Sequence, residues 1–164
     1  MTAPVSERRV ALGSLSGFLA YGFGSGLAPW APGTFGTLAA VPFAFLLKNL
    51  ALPAYLLLLA GLFVMGVTVC SRASERLGRH DPGGIVWDEM VGYWLTIALV
   101  PLNWVWLAAG FVAFRFFDIL KPWPICAVEK RFGGGLGIML DDVVAALYAL
   151  VVLQLAAVFT GAGS

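Results

Sequence analysis

Five of the nine acidic residues in this chain stand where polar sequence gives way to apolar sequence. They are Asp88 and Glu89 in Ile85-Val-Trp-Asp-Glu-Met-Val-Gly92, Asp118 in Arg115-Phe-Phe-Asp-Ile-Leu-Lys-Pro122, and Asp141 and Asp142 in Gly137-Ile-Met-Leu-Asp-Asp142. An ionised carboxylate at such a border is costly unless something compensates it, so ionisable groups there mark a functional site by default. Three separate segments each bring at least one. Carboxylates alone would repel one another, so their convergence implies a cation. Oxygen donors with a single histidine in the chain suit Mg²⁺ far better than zinc. Of the five, Glu89 and Asp142 are the favoured ligands; adjacent residues on a helix diverge by about 100°, so one of each pair can stand behind the other and not touch the ion. The competing reading is structural: each acid pairs with a neighbouring Arg or Lys as an interfacial cap.

Arg115, Asp118 and Lys121 are spaced by three and would share one face of a continuous helix, two cations around one acid. Pro122 and Pro124 stop that helix at once. Cations beside metal-binding acids suit a phosphate bridged to the ion, since they neutralise its oxygens. Arg115 and Lys121 are therefore candidate phosphate contacts, and Lys121 is expected to act as a lone ammonium that adds little to stability. Two glycine-rich segments, Gly22 to Gly36 and Gly133 to Gly137, each open a helix and could offer N–H groups to an anion. Ser25, Thr34 and Thr37 add hydroxyls there, which could equally bond helix carbonyls.

Other phosphatase chemistries lack their residues. Six positions after Cys126 stands Phe132, not arginine, and His80 is alone, so cysteine and histidine nucleophiles are unsupported. No Asp-x-Asp pair occurs for an aspartyl-phosphate route. The chemistry that remains is water activated by a bound cation.

The elements that must hold these groups are apolar. Of 164 residues, 60% are hydrophobic and only 12% charged, against roughly 45 to 50% and about 25% in soluble domains. This excludes a disordered chain and a basic nucleic-acid binder, and with Cys70 and Cys126 as the only cysteines it excludes a disulfide scaffold. Four long uncharged stretches, Val10 to Leu47, Asn49 to Ser71, Met90 to Phe114 and Val143 onward, can each reach across a hydrocarbon core of about 30 Å. Ala51 to Cys70 and Leu140 to Phe159 are the cleanest spans. Pro101-Leu-Asn103 predicts a helical hairpin with arms of about 16 residues from Val86 and to Ile119. Gly22 to Thr37 is too rich in Gly and Pro for a continuous helix and is expected to be a loop, with a short helix over Thr34 to Leu47. Arg8 and Arg9 precede an apolar run that ends in that loop, which argues against a signal peptide. The expected fold is all-α: one integral membrane bundle over residues 1–164, with about five crossings. In that arrangement Arg8, Arg9, Arg72, Arg76, Arg79, Arg115, Lys121, Lys130 and Arg131 share one side and Lys48 lies opposite, so the nine-residue side is cytoplasmic.

Four blocks then carry a resemblance. Gly24-Ser-Gly-Leu-Ala-Pro-Trp-Ala-Pro-Gly-Thr-Phe-Gly-Thr37, Ile85-Val-Trp-Asp-Glu89 with Gly92, Arg115 to Pro124, and Gly134 to Asp142 resemble, in order and spacing, the motifs of the phosphatidylglycerophosphatase A family. The resemblance runs from about Gly22 to Ala146. It implies a Mg²⁺-dependent phosphatase of the bacterial inner membrane, active on the cytoplasmic face, that converts the phospholipid phosphatidylglycerophosphate to phosphatidylglycerol. It also implies that Asp88, Glu89, Asp118, Lys121, Asp141 and Asp142 are its catalytic residues. Departures are small: Thr37 stands where serine is also seen, and Ala145-Ala146 where an Ala-Gly pair is common. The rival class is a small transporter or channel using its carboxylates for ions, which predicts acids at mid-span. A phosphatidyltransferase would need an Asp-Gly-x-x-Ala-Arg signature that this chain lacks.

Overall fold

The structure is a computed structural model that describes residues 5–79 and 82–161. His80 lies outside the described residues, as do the side chains of positions 129 and 130. Every regular element among the described residues is helical. Two six-residue helices, α1 (Glu7–Leu12) and α2 (Leu15–Ala20), begin the chain. Each is capped by a serine hydroxyl, Ser6 accepting from Arg9 N at 3.4 Å and Ser14 from Gly17 N at 3.1 Å. A 3₁₀ turn over Gly22–Leu27 follows, kinked where Phe23 and Gly24 adopt φ of 59° and 94°. The expected loop is thus partly helical. Pro32, whose fixed φ suits a first helical position, starts α3 (Pro32–Leu47) two residues earlier than Thr34.

Among the described residues, two helices are long and apolar enough to cross a membrane: α4 (Leu52–Leu77) and α8 (Gly134–Thr160), about 39 and 40 Å in length. Both end at a glycine in the left-handed region, Gly78 and Gly161. Between them lie α5 (Trp87–Thr96), α6 (Trp104–Leu120) and α7 (Ile125–Arg131). The hairpin forms as expected, with Asn103 accepting from Trp106 N at 3.0 Å to start its second arm.

The first arm, α5, is shorter than the sequence predicts: ten residues, about 15 Å, where about 16 residues were expected. Beyond Thr96 the backbone turns, and a distant residue holds the turn. Lys48, just past α3, donates through Nζ to the carbonyls of Val100 at 2.6 Å, Ala98 at 3.1 Å and Ile97 at 3.3 Å. These carbonyls precede Pro101, which has no N–H to offer Ile97 O and denies helical backbone to Val100, so the ammonium satisfies groups that no helical bond would. α5 is therefore a short central rod, with Met90, Tyr93 and Trp94 buried. It packs against α3, α4, α6 and α8. Trp94 Nε1 donates to Ala40 O at 2.9 Å, and Tyr55 Oη to Trp94 O at 2.7 Å, which ties α3 and α4 to it. One end of this rod carries Lys48 and the other carries Asp88 and Glu89.

Candidate active site

The acids are delivered by helix ends and one helix interior. Asp88 and Glu89 occupy the first turn of α5, Asp118 the last turn of α6, and Asp142 lies inside α8. Carboxylate oxygens of Asp88, Glu89 and Asp142 lie within 4.8 Å of one another. Asp88 and Asp142 are 8% and 3% exposed, so these charges face little bulk water. Asp142 also borders Asp118. Arg115, one turn before Asp118 on α6, donates through Nη1 to Asp118 Oδ2 and stands 3.6 Å from Glu89 Oε1.

Four carboxyl groups thus meet one guanidinium. Asp88 Oδ1, Glu89 Oε2, Asp142 Oδ2 and Arg115 Nε are buried without a hydrogen-bond partner among the described residues. Buried ionic oxygens left in this way are strongly unfavourable. Three converging carboxylates, each with such an oxygen, could hold a divalent cation, and an all-oxygen donor set fits Mg²⁺ or Ca²⁺ better than zinc.

Adjacent acids divide differently in the two pairs. Asp88 and Glu89 both face the cluster, whereas Asp141 turns away. Its Oδ2 accepts from Lys121 Nζ at 2.6 Å, and its Oδ1 accepts from Asp142 N at 3.0 Å. Lys121 is accordingly not the lone ammonium expected from sequence. Helix α6 stops at Leu120, because Pro122 disfavours helical backbone at Lys121, which adopts φ 42° as the cap. The run of three shared by Arg115, Asp118 and Lys121 therefore breaks before its last member, and the ion pair ties the end of α6 to α8.

The hydroxyl candidates are engaged locally. Ser25 Oγ donates to Gly22 O and Thr37 Oγ1 to Gly33 O, each at 2.8 Å, and Thr34 is half-buried on the first turn of α3.

Sequence reasoning gave no individual role to Gly33, the second residue of α3. A Cβ there would collide with Glu89 Oε1 and stand 2.9 Å from Arg115 Nη1. The lack of a side chain lets the first turn of α3 lie directly against the Glu89 carboxylate and the Arg115 guanidinium. A glycine directly after a helix-opening proline was the available signal. Gly33→Ala should displace Glu89 and lower kcat/KM on the order of 10²-fold, since shifts of about 1 Å at a reacting centre cost that much. Turnover measured beside a thermal melt checks it: a fully active variant would mean that Glu89 is free to move. Gly92 does similar work on α5, where a Cβ would meet the Phe114 ring at 2.7 Å and Asp142 O at 3.2 Å.

Comparison with known proteins follows from these same segments. The family model described as Phosphatidylglycerophosphatase A matches residues 18–157, which contain every site residue above. A relative of that name from Escherichia coli (strain K12) is 44% identical over 150 residues, covering 91% of this chain and 87% of its own. Another of that name, from Haemophilus influenzae, is 47% identical over 137 residues, covering 82% and 84%. No solved structure matches significantly.

Proposed function

This chain belongs to the phosphatidylglycerophosphatase A family, and on that premise we propose that it hydrolyses the terminal phosphomonoester of phosphatidylglycerophosphate to phosphatidylglycerol and inorganic phosphate. The observation that carries the reading is the convergence of the Asp88, Glu89 and Asp142 carboxylates, each of which also has one buried oxygen without a hydrogen-bond partner among the described residues. These three residues would hold Mg²⁺, which when bound supplies Lewis acidity toward a phosphoryl oxygen and toward the attacking water. Arg115, fixed by Asp118 and beside Glu89, presents guanidinium N–H groups to the phosphate, a planar donor set suited to its oxygens. Lys121, anchored on Asp141, adds a second cation. The N-terminal end of α3 lies beside the same region, and its helix dipole favours negative charge there, while the Thr34 and Phe35 N–H groups are held by Ala31 O.

The bilayer setting rests on surface chemistry. Large apolar side chains such as Leu57, Val105, Val112 and Val151 stand more than half exposed around the bundle. Trp30 and Trp123 are exposed at the acid end, and Trp104 at the other, separated by the roughly 26 Å of α6. Tryptophans in two belts about a hydrocarbon thickness apart suit a spanning protein. On this reading α4 and α8 cross a bacterial inner membrane outright, α3 and α6 span it at near-minimal length, the ten-residue α5 runs only about half of the way inside the bundle, and the acids face the cytoplasm. Cysteine labelling should then reach positions 79 and 130 from the cytoplasmic side and position 48 from the opposite side. Periplasmic labelling of position 130 would overturn this orientation.

Headgroup choice is tested by phosphate release from a panel of lipid phosphomonoesters: phosphatidylglycerophosphate, phosphatidic acid and phosphatidylinositol 3-phosphate. Phosphatidylglycerophosphate should be hydrolysed with the highest kcat/KM. Faster release from either of the others would reassign the substrate while leaving the reaction type.

A further inference from the structure

Beneath the acids an apolar groove of about 260 Å³ opens sideways between α4, α5 and α8, lined by Leu56, Leu59, Phe63, Val91, Leu95 and Val143, with Ala60 on its rim. Its place relative to the acids is specific. Val91 lies one turn, about 5 Å, below Asp88 on α5, and Leu95 lies one turn further along the same face. Val143 follows Asp142 on α8. From Phe63 to Leu56 the groove runs about 10 Å along α4, away from the acid end. Leu56 and Ala60 are exposed, so the groove is open to whatever surrounds the bundle.

We infer that this groove holds an acyl chain of the phospholipid whose headgroup reacts at the acid cluster. The inference rests on the phosphatase reading above and adds to it where the lipid lies. In such a lipid the reacting phosphate is joined through a glycerol and a phosphodiester to the acyl esters, and only then come the chains. A groove that starts one turn below the acids and leads toward the bilayer centre matches that order of groups. A second groove of the same volume, between α3 and α6 with Leu38, Val41 and Phe111 in its wall, has no lining residue from α5 or α8. It touches neither helix that bears the three converging acids, but its Val112 lies one turn from Arg115 on α6, so it is the rival seat for the chain that the test must separate from the first.

Filling each groove in turn is the test. Ala60→Trp places an indole at the rim of the first, and Ala108→Trp does so in the second; both alanines are exposed, so neither change invades the core. The readout is the ratio of kcat/KM for long-chain phosphatidylglycerophosphate to that for its dihexanoyl form. Ala60→Trp should lower this ratio about tenfold, the scale on which one poorly accommodated apolar group discriminates, and Ala108→Trp should leave it unchanged. Direct labelling supplies a second readout that needs no turnover. A non-hydrolysable phosphonate analogue with a diazirine in its acyl chain should label α4 between Leu56 and Phe63. An unchanged ratio in Ala60→Trp, an equal fall in Ala108→Trp, or labelling spread evenly over the outer helices would show surrounding lipid only and overturn the inference. If the unaltered chain releases phosphate from neither substrate, the phosphatase reading itself has failed, and that result is distinguishable from failure of the groove alone.

Discussion

Asp142→Asn is expected to reduce kcat/KM by about 10³-fold or more while raising the stability of the protein in the absence of divalent ions. Asparagine keeps the shape of the side chain but removes one negative charge from a cluster in which three carboxylates lie within 4.8 Å. Without an ion these groups repel one another in a site that water barely reaches, so deleting one charge relieves the fold. With the ion, the same deletion removes a ligand and the electrostatic stabilisation that depends on it, a contribution of several kcal/mol to the reaction. Melting temperatures with chelator and with Mg²⁺ separate the two effects. The unaltered protein should gain stability from Mg²⁺, since an ion that binds only the folded state shifts the equilibrium by mass action. The variant should start higher and gain little. In a chain of this size each kcal/mol moves the melting temperature by about 2 to 4 °C, well within measurement. If Asp142→Asn melts lower than the unaltered protein under chelation, the cluster is a satisfied polar network and not an ion site.

Lys121→Ala is expected to lose 10²- to 10³-fold in kcat, the scale for removing one preorganised contact to developing charge, and also to lose stability. The second effect comes from the partner it leaves behind. Asp141, whose side chain is 7% exposed, would keep its bond from Asp142 N but lose the ammonium at 2.6 Å. Breaking a buried ion pair by removing one partner costs about 3 to 5 kcal/mol, and less here because the Lys121 side chain is 27% exposed. The double variant Lys121→Ala/Asp141→Asn distinguishes the two roles, because it removes the stranded charge together with the cation. It should recover most of the lost stability and none of the lost turnover, which is the form of coupling that a mutant cycle resolves. Recovery of both would mean that Lys121 acts only by holding α6 against α8.

Particular residues show how far the sequence reaches toward this site. Asp88, Glu89, Asp118 and Asp142 were legible because charge at the edge of an apolar helix is rare and needs a reason. The start of α3 and the end of α6 were legible to within a few residues, since Pro32 and Pro122 act on the backbone next to them. The length of α5 was not. The turn that follows it is held by Lys48, which reaches carbonyls about fifty positions away in the chain, and no local pattern records that contact. Asp142 was favoured over Asp141, and it is Asp142 that faces the cluster, but what Asp141 does instead was hidden for a related reason. Neighbours on a helix point about 100° apart, and which one faces the cluster depends on how α8 is rotated against α5 and α6. The pairing of Lys121 with Asp141 follows from that same rotation, and the role of Gly33 follows from where α3 meets Glu89. Propensity and spacing specify elements and their ends; the rotation of one helix against another is fixed by packing over the whole bundle.

The most direct measurement is phosphate release from phosphatidylglycerophosphate by the purified protein, stripped of divalent ions with chelator and then titrated with Mg²⁺, beside Asp142→Asn under the same conditions. The expected result is release that is absent after stripping, returns in a saturable way with Mg²⁺, and stays absent in the variant across the titration. Undiminished release from the stripped protein, or a Mg²⁺ response shared equally by Asp142→Asn, would contradict an ion held by Asp88, Glu89 and Asp142 as the centre of this site.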